Sequence, residues 1–330
     1  MLSPRVAVVV INWNKLDVTR ECLDQLGLLE YPNHHIYVLD NGSEEKGIEA
    51  VVAGRPNCTL LSSPVNLGYA GGNNLALARA FADGAEFAWL LNNDCRAERD
   101  TLTSLVRTAQ ENAKVGLVSP VLFREPGSDA LEVGGTRVDL QHYGLEVTMS
   151  LEQARKWQEE GPERVALYGT ALLVSRALYE AIGGFDETFF AYYEDIDLCI
   201  RSTQAGFANR LDFDARVNHS ERPRAEGEHV APHVLYYMAR NKILLWAKHG
   251  RRDARLRVFV WEFSRRMGEI ARGRLHKTHP QIAQAMLAGL WDGWRGVGGK
   301  YRPEHRAPAP LRTALLANPG FWDRAIKFVT

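Results

Sequence analysis

The sequence is poor in cysteine and carries no net charge, no internal repeat and no long apolar run. Its four cysteines, Cys22, Cys58, Cys95 and Cys199, stand far apart without a C-x-x-C pair. That argues against a zinc cage and against a disulfide scaffold, and favours a reducing, cytoplasmic setting. Lys plus Arg and Asp plus Glu number 40 each, so no global field points to nucleic acid as a partner. No apolar run is long enough to span a bilayer. The chain passes from Met1 and Arg5 into a strand-like run without a small-residue cleavage site, which does not read as a signal peptide. What is present is material for a core: 45% of the 330 residues are hydrophobic, enough for one large domain or a domain with an extension.

Val6 to Ile11 is a continuous β-branched run, suited to a strand buried on both faces of a parallel sheet. Strand-like runs at 35–39, 58–61, 86–91 and 115–119 alternate with helical spacing at 16–29, 72–81 and 99–112. This βαβα rhythm predicts a doubly wound sheet, with ligands beyond the carboxyl ends of the strands. Those ends carry Asn12, Asn14, Asp40 and Asn92-Asn93-Asp94. After Pro120 the pattern turns irregular and α+β in character: a hairpin through 131–140, a buried strand at 171–174, a helix at 194–204, strand pieces at 207–217 and a helix at 233–249. From Arg251 to Lys277, nine basic residues (251, 252, 255, 257, 265, 266, 272, 274, 277) accompany an apolar stripe of Leu256, Phe259, Phe263, Met267 and Ile270, the pattern of a basic amphipathic helix.

Several residues have the chemistry of a site, each with a plainer alternative. Asp94, at the mouth of the sheet, can hold Mg²⁺ or Mn²⁺ while diphosphate and water complete the shell, or Asn92-Asn93-Asp94 is an ordinary polar turn. The stretch from Asn66 to Asn74, with Gly68, Gly71, Gly72 and Asn73, either lays bare amides against a diphosphate at a helix start or is a flexible connection. Asp40 accepts from a base or ribose, or closes an Asx turn with Asn41-Gly42. Glu194, Asp195 and Asp197 offer a general base, or simply favour a helix start, with Asp197 and Arg201 paired at i,i+4. His219 is either a metal or phosphate contact or a satisfied loop residue; His229 and His233 have weaker claims. Arg240-Asn241-Lys242 either neutralises phosphate or is a solvated helix face.

The order of these segments is more specific than any one of them. From Val6 to about His249 the chain resembles glycosyltransferase family 2, in its rhamnosyltransferase-like branch. The segments that carry the resemblance are Val9 to Asn14, Val38 to Ser43, Asn66 to Asn74, Leu90 to Asp94, Gly183 to Glu187, Tyr193 to Leu198 and Tyr236 to Asn241. It implies an α/β GT-A fold, Rossmann-like, with a mainly parallel central sheet flanked by helices: a domain over 1–250, with a nucleotide-binding half at 1–119 and an acceptor-binding half at 120–250, then a helical extension over 251–330. It also implies roles. Asp195 is the catalytic base; Asn12, Asn14, Asp40, Asn66, Gly68, Gly71, Gly72, Asn73 and Asn93 line the donor nucleotide; Asp94 and His219 hold a divalent metal, Mg²⁺ or Mn²⁺; Glu194, Asp197 and Asp186 lie on the acceptor side. The metal motif has lost its first carboxylate, reading Asn92-Asn93-Asp94, and the stretch after His219 reads Ser220-Glu221-Arg222-Pro223 in place of the family's Gly/Ser pattern.

The implied activity is inverting transfer from a dTDP-L-rhamnose or UDP-sugar donor to a hydroxyl of a glycan or lipid-linked acceptor. A nucleotidyltransferase needs a Gly-rich loop with Arg and Lys after the first strand, which Asn12-Trp13-Asn14-Lys15 does not supply. A non-catalytic sugar-nucleotide or glycan-binding module has no need of both Asp94 and Asp195. For the C-terminal stripe, packing on the catalytic domain or in a homodimer ranks ahead of peripheral attachment to the inner face of the membrane.

Overall fold

The computed structural model describes residues 3–124, 127, 129–219, 230–272 and 278–314. Contacts divide the chain into two units: Met1–Val138, Leu145–Asp186 and Glu194–Arg222 form the first, and Asp139–Gly144, Glu187–Tyr193 and Pro223–Thr330 the second. Ser220 to Pro223, His229, Arg274 and Lys277 lie outside the described residues.

The chain begins β1 (Val6–Asn12), α1 (Leu16–Leu26), β2 (His34–Asn41), α2 (Ile48–Val52), β3 (Cys58–Ser63), α3 (Gly68–Ala82) and β4 (Phe87–Asn92). It continues through β5 (Cys95–Ala97), α4 (Thr101–Gln110), β6 (Val115–Phe123), β7 (Leu131–Val133), β8 (Thr136–Asp139) and β9 (Gly144–Val147). Then come α5 (Leu151–Glu160), β10 (Val165–Ala166), β11 (Ala171–Ser175), α6 (Arg176–Ile182), α7 (Glu194–Gln204) and β12 (Ala208–His219).

The main sheet has the order β3-β2-β1-β4-β11-β6-β12-β5, with β7 on β6. β3, β2, β1 and β4 are parallel, and every residue of β1 except Ile11 is buried, as a run apolar on both faces requires. The other half is mixed. β11 is antiparallel to both β4 and β6, whereas β12 runs parallel to β6 and antiparallel to β5. The sheet is therefore mixed, with β3, β2, β1, β4, β6 and β12 running one way and β11, β5 and β7 the other, because the strand inserted beside β4 arrives from the opposite end after the irregular stretch that follows β6.

Two local expectations change. The hairpin expected over 131–140 is absent: β7 joins β6, while β8 sits in a separate sheet of order β10-β8-β9. Gly135, at φ +125°, takes a backbone that L side chains rarely adopt and turns the chain out of the first sheet. α3 starts at Gly68 rather than near Gly72, so the glycines expected in a loop form its first turns. Gly72 sits tightly there: a Cβ would meet Asn41 Nδ2 and Ile11 Cδ1 at 3.1 Å each, so those side chains would have to give way slightly.

In the second unit, α8 (Pro232–His249), α9 (Ala254–Arg272), α10 (Pro280–Arg295) and α11 (Ala309–Ala314) follow in order. α8 and α10 approach closely because α10 turns Ala285, Gly289 and Gly293 toward its partner at successive i+4 steps. A Cβ on Gly289 would lie 2.4 Å from the Tyr236 carbonyl oxygen, and one on Gly293 2.9 Å from that of Arg240. The stripe of α9 is largely covered: Met267 and Ile270 are fully buried, and Phe259 contacts Phe263 and Trp294 with ring centres 5.7 and 5.1 Å away. Leu256 alone of the five stays well exposed, at 54%. Part of the basic face also turns inward, with Lys242, Arg265 and Arg266 at 2.9, 2.8 and 3.4 Å from the fully buried Glu262. Packing on protein is thus what the stripe does. Among the described residues no helix is long and apolar enough to cross a membrane.

Candidate active site

At the carboxyl ends of the parallel strands, register sets Asn12 beside Asp40 and Ile11 beside Asn92. Asn93 Nδ2 donates to Thr19 Oγ1 at 2.9 Å, and Thr19 Oγ1 donates to Asn12 Oδ1 at 2.9 Å. Asn12 Nδ2 donates to Ser43 Oγ at 3.1 Å and reaches Asp40 Oδ1 at 3.4 Å. Asn12 is wholly buried, so it knits the strand ends from behind and does not line a ligand surface. Asn14, at φ 53°, has a similar structural duty: its Oδ1 accepts from the Glu44 and Glu45 amides at 2.8 and 3.1 Å. Asp40 is half-exposed. The turn beside it is closed by Asn41, which accepts from Leu67 N and donates to the Gly68 carbonyl, both at 3.0 Å.

Of the Asn66 to Asn74 stretch, Asn66 is half-exposed and accepts from Gly68 N at 2.8 Å, whereas Gly68, Gly71, Gly72 and Asn73 are buried. Asn73 bonds back to the Tyr69 carbonyl at 3.0 Å. Gly72 lets α3 lie close on the sheet, and Asn66, unlike the four buried residues, is left partly open to a ligand. Asn74 brackets the Phe185 backbone, donating to its carbonyl at 2.9 Å and accepting from its N–H at 2.8 Å. This joins α3 to the turn that carries the half-exposed Asp186.

Asp94 and His219 come together because β5 pairs with β12, with His219 opposite Cys95. His219 Nε2 lies 3.3 Å from Asp94 Oδ1, and its Nδ1 lies 2.9 Å from Glu132. Asp94 keeps 45% of its side chain in solvent, against 12% for His219. Burial works against a charge on the imidazole, but the two carboxylates outweigh it and raise its pKa to about 10. Cys95 is also near, yet burial holds its thiol far above the usual range and its sulfur donates to the Thr170 carbonyl, so it is no thiolate ligand. One carboxylate and one imidazole, open on the solvent side, fit a hard divalent cation whose remaining positions are filled by diphosphate and water. Such binding must displace the Nε2 proton.

α7 carries the acids. Asp195 Oδ2 accepts from Gly169 N at 3.0 Å and Oδ1 from Ile196 N at 2.8 Å. Burial pushes its pKa up, and these backbone N–H groups pull against that. Glu194 is buried with no hydrogen-bond partner on Oε2; burial first, then the neighbouring Asp195 charge, holds it well above the usual carboxylate range. Asp197, expected on the acceptor side, is wholly buried and paired with Arg201 at 2.8 Å. Arg201 goes on to the Ile182 and Gly184 carbonyls at 3.2 and 2.7 Å, so Asp197 anchors the chain ahead of Phe185 and does not meet an acceptor.

Sequence reasoning missed Gly169-Thr170 and Glu132. Thr170 O accepts from Asn92 N at 2.9 Å and from Cys95 Sγ, Gly169 N donates to Asp195, and the Tyr69 hydroxyl donates to Gly169 O. One dipeptide therefore ties the Asn-Asn-Asp turn, the acidic helix and α3 together. Its only advertisement in the sequence is its place just ahead of an apolar strand. In the second unit, Arg240 and Asn241 prove to be fully buried. Arg240 donates to the carbonyls of Thr188, Phe189 and Gly299, and Asn241 to those of Phe189, Ala191 and Tyr192 at 3.0, 2.8 and 2.7 Å. Neither is available to phosphate. His233 is exposed in the first turn of α8.

A mixed sheet flanked by helices in this order has the GT-A fold. The solved structures agree. The mannosyltransferase PcManGT from Pyrobaculum calidifontis, in complex with GDP-Man and Mn²⁺, matches with a TM-score of 0.56 at 18% identity, over 98% of this chain and 86% of that one. S. aureus TarS 1-349 with UDP-GlcNAc gives 0.56 at 15%, over 98% and 90%. The Glycosyl transferase family 2 model matches residues 7–183, and the chain belongs to that family. Its relatives include the N-acetylglucosaminyl-diphospho-decaprenol L-rhamnosyltransferase of Mycobacterium tuberculosis, 28% identical over 233 residues, 65% of this chain and 75% of the relative. Galactofuranosyltransferase GlfT1 of the same species is 31% identical over 225 residues, 66% and 71%. The protein is a glycosyltransferase, which sets aside the nucleotidyltransferase and the non-catalytic module.

Proposed function

We propose that the protein moves a sugar from a nucleoside diphosphate, dTDP-L-rhamnose or a UDP-sugar, to a hydroxyl of a lipid-linked or glycan acceptor, with inversion at the anomeric carbon. The observation that carries this reading is the Gly169-Thr170 link, which holds Asp195 and the Asn92-to-Asp94 turn on one piece of backbone. Asp195 takes the proton of the acceptor hydroxyl as the new C–O bond forms and the bond to the diphosphate breaks. Two backbone N–H groups favour its anion, whereas Glu194 has no partner on Oε2 and burial pushes its carboxyl well above the usual range. Neighbouring carboxyls whose surroundings push them apart divide acid and base roles in this way. Asp94 and His219 hold Mg²⁺ or Mn²⁺, which when bound neutralises charge on the departing diphosphate. Asp40, Asn66 and Asn93 face the donor, and Glu194 and Asp186 the acceptor side.

The names of the relatives support the choice of a rhamnosyl or galactofuranosyl donor and a polyprenyl-diphosphate acceptor. The four free cysteines support a cytoplasmic setting. The exposed Arg251, Arg252, Arg255 and Arg257 beside Leu256 suit work against an anionic membrane surface. The deciding experiment offers dTDP-L-rhamnose and UDP-sugars with Mn²⁺ and a polyprenyl-diphosphate N-acetylglucosamine acceptor, and reads the product anomer by NMR. Transfer from one donor with inversion is expected, and nucleotide binding without transfer in the Asp195→Asn variant. Retention, or full turnover by that variant, overturns the mechanism.

A further inference from the structure

We propose that Glu132 is the positioning residue for the metal site: it grips the far nitrogen of His219 and so aims the other at the cation. The inference rests on the reading of Asp94 and His219 as metal ligands. Two independent observations lead to it.

The first is backbone. β7 pairs with β6 so that Leu131 faces Phe123 and Val133 faces Leu122, with an irregularity between Leu122 and Phe123. Two steps on β7 thus oppose one step on β6, and Glu132 is the extra residue. A bulge of this kind frees a residue from the ladder and re-aims its side chain, and bulges gather next to active sites.

The second is where that side chain goes. Both carboxylate oxygens of Glu132 lie 2.9 Å from His219 Nδ1, while His219 Nε2 faces Asp94 Oδ1 at 3.3 Å. With Nδ1–H donated to a carboxylate, the ring is fixed in rotation and its Nε2 lone pair is the one presented to a metal. Carboxylate, imidazole and metal in line is the arrangement that raises ligand basicity and sets the tautomer, and losing the outer partner commonly costs about 10–100-fold in metal affinity. Glu132 has 22% of its side chain exposed and is held from β7, whereas Asp94 follows β4 and His219 ends β12. The grip on His219 therefore comes from a third strand, independent of the two that supply the ligands.

The test is Mn²⁺ binding to the whole protein, followed by electron paramagnetic resonance with saturating inorganic pyrophosphate in place of any donor. Glu132→Ala should weaken Mn²⁺ by about 10–100-fold while still showing a cooperative metal-free melt, lowered by loss of the contact to His219. Glu132→Gln, whose amide oxygen still accepts from Nδ1–H, should recover most of the loss. Parent-like affinity in Glu132→Ala overturns the proposal. So does Glu132→Gln as weak as Ala, since orientation by the hydrogen bond would then be irrelevant. Asp94→Ala and His219→Ala separate the two levels. If both bind Mn²⁺ like the parent, the metal site itself falls; if they lose it and Glu132→Ala does not, only the role of Glu132 falls.

Discussion

In the first unit Asp94 leaves 45% of its side chain in solvent and Glu194 buries a carboxyl oxygen with nothing bound to it. In the second, Arg240 is wholly buried, and its guanidinium donates to Asn241 Oδ1, the Tyr236 hydroxyl and three carbonyls. Both regions place polar groups where a charged ligand is conceivable, but Arg240 has committed its donors whereas Asp94 and Glu194 keep acceptor oxygens in reserve. A saturated buried cation has no valence to give a phosphate without breaking what it already holds, and the desolvated groups left behind would be costly. Reserved capacity, rather than charge, distinguishes Asp94 and Glu194 from Arg240.

Substitutions should therefore divide into two kinds. The largest effect belongs to Asp195→Asn, which should lower transfer by about 10²–10⁴-fold with only a modest fall in melting temperature, since one of the two backbone N–H groups it serves loses its acceptor. Single-turnover rates and thermal melts measure the two quantities on the same samples. A variant with unchanged rate but a large loss of stability would erase the contrast between the regions.

Next comes Asn241→Ala. Its amide serves three carbonyls at 2.7 to 3.0 Å, so truncation should cost on the order of 3 kcal/mol of stability, read from urea unfolding, with the pyrophosphate-supported Mn²⁺ affinity unchanged. If that affinity falls and stability does not, Asn241 is a ligand-side residue after all. Gly289→Leu should cost about 1–3 kcal/mol or more, because even a Cβ there meets the Tyr236 carbonyl. A stable variant with unchanged melting would mean that α8 and α10 do not pack as closely as described.

Much of the first unit was legible because its signals are local. β-branched runs marked the parallel strands, and the polar residues at their ends marked the mouth of the sheet. Glu194–Gln204 begins and ends where helical spacing put it. What escaped depends on partners distant in sequence. Glu132 sits in an unremarkable Leu131-Glu132-Val133 run and meets His219 87 positions later; Asn12 looks like a ligand contact until Thr19 and Ser43 are seen to use its amide. Arg240 and Asn241 were misread for the same reason: a carbonyl-rich loop at 188–192, which leaves no mark in the sequence, takes up their donors.

The smallest expected effect is also the most direct probe of reserved capacity. Glu194 has its pKa raised by burial and by the adjacent Asp195, so the folded protein prefers the neutral acid. For a carboxyl raised in this way, the stabilising contribution is fully present below its unfolded pKa of about 4.3 and is lost as pH rises through the folded value. Glu194→Gln keeps the shape and the neutral state at every pH. Its melting temperature should match the parent's in acid and pull ahead as pH rises above about 4.3, the gap levelling off only once Glu194 has ionised. Melts of the two proteins from acid to mildly alkaline pH, at constant ionic strength, measure that gap. A gap that stays constant with pH, or one in which the parent gains on the variant as pH rises, would mean that Glu194 is ionised and satisfied in the fold. Its claim to be the neutral member of the pair, and with it the argument that assigns the base to Asp195, would then fail.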